Sequence, residues 1–310
     1  MNRNMGRQEH CATITTLNDS QIIAYYKGPE CTNSQNVYII HTRQNRIIRT
    51  INLMTQTGNP VLFIYKGLIH LITSYFDDIG RNLESPKTPV DRWKFCSLWH
   101  YIFKIDHYGN LSLQNISKMN IDVGYLARCA PIIYRDEIYL PLYREMNPMG
   151  TIMKYNGKWS FVGNIGENIN YDSRYGKGVL IQPTIWRENN LFKALCRDIT
   201  RNKRAWYSES SDGVVWSKPV STDIWNDNNS IIAINNTKGP LIIWNEGEGR
   251  SNLNLGRFED NKAIFLKKLN ERESSSYPNY HIDEVQNIHI VYTDGGKISY
   301  KVFREDDIEY

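Results

Sequence analysis

Three arginines, one tyrosine and a handful of acids are the residues of this chain whose types and positions suit chemistry. Arg128, Arg197 and Arg250 each fall at the end of an apolar, strand-like segment. A guanidinium presents N–H donors in a fixed plane, the geometry that grips a carboxylate through two parallel bonds. The bland reading of any one of them is a rim arginine that snorkels or pairs with a local acid. Tyr277 stands beside Pro278. A phenol with an ordinary pKa of about 10 becomes a nucleophile only beside a base, and a tyrosine next to proline also serves as a rigid packing residue. Glu30, Glu145 and Glu246 are the acids in suitable contexts, and His10 is a candidate proton carrier.

Other chemistries find little support. Gly295-Gly296 reads as a hairpin turn after a strand, without phosphate-loop spacing. No HExxH run or clustered His/Asp set implies a metal, and nothing calls for a cofactor. The cysteines, Cys11, Cys31, Cys96, Cys129 and Cys196, contain no CxxC pair, so buried thiols in a reducing compartment are the expectation. Trp93, Trp99, His100 and Tyr101 make an aromatic cluster that reads as core packing before it reads as a sugar platform. A formal net charge of +4, with Lys and Arg scattered rather than striped, is too weak to argue for nucleic acid. The N-terminus has no apolar leader core, and no stretch approaches the ~20 apolar residues of a membrane span. A soluble cytoplasmic protein is expected.

The elements that must position these residues are strands. No segment sustains a capped helical apolar period for three turns. Six segments instead share one form: an apolar β-rich run, a short polar turn, a second apolar run. They are Ala12–Tyr26, Val61–Phe76, Pro131–Glu145, Pro183–Arg197, Ile231–Glu246 and Tyr280–Thr293. Their turns recur about every 50 residues, the period of a four-stranded propeller blade. One longer step holds a Pro- and charge-rich stretch, which reads as a loop insertion near residues 77–96. The expected fold is all-β: a six-bladed β-propeller of four-stranded antiparallel blades, with residues 1–310 as one domain. A β-sandwich does not explain six similar hairpins at near-even spacing.

Local motifs add a resemblance. The run Ser208-Glu209-Ser210-Ser211-Asp212-Gly213-Val214-Val215-Trp216 resembles the Asp box of sialidase-type propellers, one residue shorter than usual. In such a turn Asp212 can bond its own backbone amides, Gly213 supplies positive φ, and Trp216 packs into the blade. Ile181-Gln182-Pro183-Thr184 with Leu195-Cys196-Arg197, and Arg128-Cys129-Ala130-Pro131 with Leu140-Pro141-Leu142-Tyr143-Arg144-Glu145, resemble runs of sialidase-like BNR-repeat proteins. So do Asn226-Asp227-Asn228-Asn229-Ser230, Ile242-Ile243-Trp244-Asn245 with Gly249-Arg250-Ser251, and Ser276-Tyr277-Pro278 with Ile288-His289-Ile290-Val291-Tyr292-Thr293. The opening Glu9-His10-Cys11-Ala12-Thr13-Ile14 is similar to the family's opening, and the marks run in the expected order to about residue 303.

The resemblance implies a glycan-directed site at the mouth of a central channel. Family sialidases clamp the substrate carboxylate with three arginines and use a tyrosine nucleophile paired with a glutamate. An anomeric carbon already bearing a carboxylate is better approached by a tyrosine than by a carboxylate. Carried onto this chain, the expected catalytic residues are Tyr277 with Glu246 or Glu145. The expected substrate contacts are Arg128, Arg197, Arg250, Gln182, His10 and Asn59. The expected ligand is an acidic, sialic-acid-like sugar. Three departures stand out. The family's first arginine falls where this chain has Glu9-His10-Cys11-Ala12. The glutamate partner of the tyrosine falls in Asn228-Asn229-Ser230. The acid/base aspartate falls in Glu30-Cys31-Thr32-Asn33-Ser34-Gln35-Asn36, where only Glu30 titrates. A non-catalytic glycan-binding propeller and a protein of surface-polysaccharide biosynthesis therefore stand beside the exo-glycosidase reading.

Overall fold

The computed structural model describes residues 8–28, 36–43, 46–55, 57–76, 95–106, 108–144, 148–166, 180–199, 203–227, 229–236, 239–271, 274–304 and 307–308. The insertion near 77–96 lies almost entirely outside them. The described residues form six small antiparallel sheets, the blades of a six-bladed β-propeller. The first holds β1 (Glu9–Leu17), β2 (Ser20–Lys27), β3 (Asn36–Arg43) and β4 (Arg46–Thr55). The second holds β5 (Thr57–Tyr65), β6 (Leu68–Phe76), β7 (Cys96–Ile105) and β8 (Leu111–Lys118). The third, with five strands, comprises β9 (Tyr125–Ala127), β10 (Ile132–Tyr134), β11 (Glu137–Arg144), β12 (Met149–Tyr155) and β13 (Trp159–Ile165). The fourth has β14 (Leu180–Glu188), β15 (Leu191–Asp198), β16 (Arg204–Ser210) and β17 (Val220–Trp225). The fifth has β18 (Ile232–Ile234), β19 (Leu241–Asn245), β20 (Leu253–Glu259) and β21 (Lys262–Asn270). The sixth has three strands, β22 (Ser275–Ile282), β23 (Asn287–Asp294) and β24 (Lys297–Arg304).

Each of the six hairpins expected from the sequence is the pair of leading strands of one sheet. Turn chemistry explains the fidelity. Lys66-Gly67, Arg135-Asp136 and Asn189-Asn190 all take positive φ at both central positions, the conformation that matches the twist of the flanking strands. Burial falls from the leading strands to the trailing ones. β1 and β6 are buried on both faces along most of their length, whereas β8 and β21 are exposed along most of theirs. An apolar run therefore makes an early strand and a mixed run a late one.

The chain divides into two compact units, Met1–Ala127 with Asn279–Glu305 and Arg128–Pro278 with Asp306–Tyr310. In the first, Ile22, Leu62, Leu71, Tyr101 and Phe103 form one apolar cluster and Ala12, Ile14, Tyr25 and Val291 another. In the second, Tyr139, Ile165, Phe192, Trp206 and Trp216 pack together, and Trp186, Leu195, Ile242, Trp244 and Phe258 form a further cluster. Adjacent blades are tied alike in both. The Leu62 N–H donates to Thr13 Oγ1 at 3.0 Å in the first unit, and the Ala233 N–H to Thr184 Oγ1 at 2.9 Å in the second.

The turn between β16 and β17 is self-bonded. Asp212 Oδ1 accepts the N–H groups of Val214 (2.8 Å) and Val215 (3.0 Å) and the Ser210 hydroxyl (3.0 Å). The two backbone bonds hold the Asp212 carboxyl below the usual carboxylate range. Gly213 sits at φ 76°, and the Trp216 indole donates to its carbonyl at 2.9 Å while the ring enters the apolar cluster. The turn also packs on the third sheet: a Cβ on Gly163 would lie 2.4 Å from the Val214 carbonyl oxygen.

Candidate functional site

Tyr277 is built into its place by the backbone. It lies near the start of β22 with φ 53°, a left-handed conformation that a non-glycine residue adopts at a cost of roughly 1–3 kcal/mol. Three other leading strands repeat the feature. Cys11 (φ 53°), Asn59 (φ 47°) and Gln182 (φ 49°) lie inside register shifts at His10/Thr13, Gly58/Val61 and Ile181/Thr184. Each is a β-bulge near the start of a leading strand, a device that re-aims a side chain.

Tyr277 is buried, and two guanidinium groups approach its ring. Arg250 Cζ is 4.5 Å and Arg128 Cζ 5.3 Å from the ring centroid. Arg250 also donates to the phenolic oxygen at 2.6 Å. Arg128 is almost fully buried at 1% exposure and donates to the Pro278 carbonyl at 3.0 Å. A buried guanidinium requires hydrogen bonds and polarisable faces in exchange for water. The Pro278 carbonyl and the Tyr277 ring supply both. The result is a phenol held in a field of two positive charges, suited to an anionic ligand or to negative charge on the phenolic oxygen itself.

Arg250 is held by its own loop. The Ser275 N–H donates to the Arg250 carbonyl at 2.8 Å, and the Gly249 N–H to Asp227 at 2.9 Å. Lys203 pairs with Asp227 (3.4 Å) and Glu248 (3.5 Å) along the same loop.

Gln182 and Arg197 form a second contact. Ile181 pairs with Arg197 across β14 and β15, and the bulge turns the Gln182 carboxamide back onto the arginine. Arg197 donates to Gln182 Oε1 at 3.3 Å, and Gln182 donates to the Tyr143 hydroxyl at 3.4 Å. A neutral amide orients this guanidinium while leaving its charge in place.

His10 and Asn59 are buried in the first unit, where His10 Nδ1 lies 3.2 Å from Thr293 Oγ1 and its ring meets Tyr26. Glu246 is exposed and accepts the Trp244 indole N–H at 2.7 Å. Glu145 and Glu30 lie outside the described residues. Cys11, Cys96, Cys129 and Cys196 are free and buried. Burial pushes the Cys129 thiol up to about 12, against the pull of Arg128, and drives Cys196 upward as well, so neither offers a thiolate. Among the described residues no group of three or more His, Cys, Asp or Glu could hold a metal ion, and no helix is long and apolar enough to cross a membrane.

Sequence reasoning missed the asparagines behind Tyr277. Asn229 Oδ1 accepts the Tyr277 N–H at 3.0 Å, and its Nδ2 donates to Asn245 Oδ1. Asn245 donates in turn to the carbonyls of Ser251 (2.9 Å) and Ser275 (2.8 Å). Asn229 thus occupies the stretch where the resemblance expected a carboxylate. The asparagine-rich run at 226–229 was the available signal.

The repeated sheets agree with the outcome of comparison with known proteins. Residues 34–290 match the BNR repeat-like domain, most of the chain's length. The chain belongs to that family. Solved structures similar to this BNR repeat-like chain include a Trypanosoma rangeli sialidase, at 12% identity and TM-score 0.70 over 96% of this chain and 54% of that one. The BNR repeat-like chain therefore spans about half of the trypanosomal enzyme. An α-L-arabinofuranosidase from Fusarium graminearum matches at 13% identity and TM-score 0.65, covering 97% and 94% of the two chains. A protein of unknown function from Dyadobacter fermentans matches at 11% identity and TM-score 0.69, covering 96% and 94%. These likenesses show the fold. A search of curated protein sequences finds no match.

Proposed function

We propose that this BNR repeat-like propeller is a glycan-active protein of the sialidase kind, an exo-glycosidase acting on an acidic sugar. The observation that carries the reading is Tyr277 approached by both Arg128 and Arg250, with its phenolic oxygen bonded to Arg250. Arg250 and Arg197 would receive the sugar carboxylate, and Arg128 would help hold the Tyr277 ring. With its phenolic proton given up to solvent, Tyr277 would attack the anomeric carbon as the glycosidic C–O bond breaks and the departing oxygen takes a proton from water; the two guanidiniums would stabilise the phenolate that attacks. The sialidase and arabinofuranosidase likenesses support a glycosidase-like propeller without naming the sugar. The turn at Asp212, with its Ser-Asp-Gly-Trp composition, supports the Asp-box reading of the sequence.

A second reading, a non-catalytic glycan-binding propeller, is favoured by one observation. Asn229 stands where a carboxylate partner of the tyrosine was expected, and both ends of its amide are engaged. The two readings part in a turnover assay on a panel of sialic-acid and related acidic-sugar glycosides, with Tyr277→Phe in parallel. Release by the wild type, lost in Tyr277→Phe, supports the glycosidase. Saturable sugar binding with no product moves the protein to the second reading.

A further inference from the structure

Three backbone groups dictate the orientation of a carboxamide relay behind Tyr277. The Ser251 and Ser275 carbonyls both require a donor, so Asn245 must turn Nδ2 towards them. Its Oδ1 then faces Asn229, which must answer with Nδ2. That leaves Asn229 Oδ1 for the Tyr277 N–H at 3.0 Å. Asn226 Nδ2 pins the Asn229 carbonyl at 2.8 Å from the other side. Asn226, Asn229 and Asn245 are all buried, so every link replaces a bond to water.

The ends of the relay are the two residues that define the site. At one end is Tyr277, kept at φ 53° by its bonded N–H. At the other are Ser251 and Ser275, which flank Arg250: Ser251 follows it in the chain, and the Ser275 N–H bonds its carbonyl. We infer that Asn229 and Asn245 are positioning residues that hold the Tyr277 phenolic oxygen on Arg250, and that the relay accepts only neutral amides. A carboxylate at 229 would set an oxygen against Asn245 Oδ1; one at 245 would set oxygens against two carbonyls. Flipping either amide moves the clash along the chain without removing it. The consequence for substrate rests on the reading of Tyr277 and Arg250 above, whereas the positioning role stands on geometry and is testable without any sugar.

The test is ring-carbon NMR on protein labelled in tyrosine, with the Tyr277 signal assigned by its loss in Tyr277→Phe. Asn229→Asp and Asn245→Asp are near-isosteric. Each is expected to move the Tyr277 signal to the position that Arg250→Ala gives. In Asn229→Asp, mild acidification is expected to return it, because a protonated carboxyl regains the donor that Asn245 Oδ1 needs. A merely structural role lowers the melting temperature without that pH-reversible shift. Folded variants with a wild-type Tyr277 signal at neutral pH would overturn the inference. Should neither variant fold, hydrogen exchange on the wild type decides: slow exchange at the Tyr277 amide and the Asn229 carboxamide supports the relay, and free exchange at either overturns it. Absence of sugar turnover by the wild type, with the variants' Tyr277 signals shifted as expected, would count against the functional reading alone.

Discussion

Acidification from pH 7 to pH 5 should cost this protein several kcal/mol of stability, through two buried histidines. His70 and His100 are buried in β6 and β7, with His70 Nδ1 2.8 Å from His100 Nε2. The register pairs His70 with Ile102 and Ile72 with His100, so the two are diagonal neighbours on one face, and Phe63 stacks on both rings. Burial lowers His70 to about 4; burial, with repulsion from His70, lowers His100 to about 3. For a histidine whose pKa is depressed by folding, stability is complete above the unfolded value and is lost as pH falls through it. At pH 5 both rings remain neutral in the folded state while the unfolded chain protonates them near 6.5. The loss is about 2 kcal/mol per histidine, roughly 4 kcal/mol for the pair. That figure depends on both folded values lying below 5, not on their detail. The assay is guanidinium denaturation at pH 7 and pH 5 for the wild type and for His70→Gln/His100→Gln. The double variant is expected to start less stable and to lose about 4 kcal/mol less on acidification. An equal loss in both proteins would refute the argument. The effect bears on function, because glycosidase assays at acidic pH would sample a weakened fold.

Two further perturbations probe the turn between β16 and β17. Gly163→Ala places a Cβ 2.4 Å from the Val214 carbonyl oxygen, a backbone atom with little room to yield. It should cost about 1–3 kcal/mol in thermal or denaturant unfolding; an unchanged melting temperature would show that the turn does not pack on β13. Asp212→Ala removes the acceptor of the Val214 and Val215 N–H groups and the Ser210 hydroxyl. Because the carboxylate is exposed, the expected loss is about 1 kcal/mol. Its depressed pKa means that this contribution is present above the ordinary carboxylate range and fades only as pH falls through the lower folded value. A pH titration of stability in wild type and variant should therefore converge at strongly acidic pH and stay parallel at neutral pH.

The sheets were legible because their signals are local. Lys66-Gly67 and Asn189-Asn190 carry turn chemistry in adjacent residues, and the apolar runs beside them show which strands are buried on both faces. Arg197 and Arg250 were legible for a similar reason, since each follows an apolar strand in a recognisable run. The geometry around Tyr277 was not. Its positive φ carries no glycine to announce it, and its amide is bonded to a residue 48 positions earlier in the chain. Glu246 illustrates the converse: an acid beside a strand end reads as a candidate base, yet its nearest use is to cap the Trp244 indole two residues away. The His70–His100 pair depends on the register between β6 and β7, which the intervening insertion hides from sequence spacing.

The most direct test of the proposed acidic-sugar site is titration calorimetry with sialic acid on the wild type and Arg250→Ala, with folding checked by melting temperature. Removing Arg250 deletes a charge-assisted bond to the Tyr277 oxygen and a cation held 4.5 Å from its ring. One lost charge-assisted interaction of about 1.5–3 kcal/mol corresponds to roughly 10- to 150-fold weaker binding. Measurable binding by the wild type and a loss of that size in Arg250→Ala are expected. Equal affinity in both folded proteins, or no binding by the wild type, would contradict it.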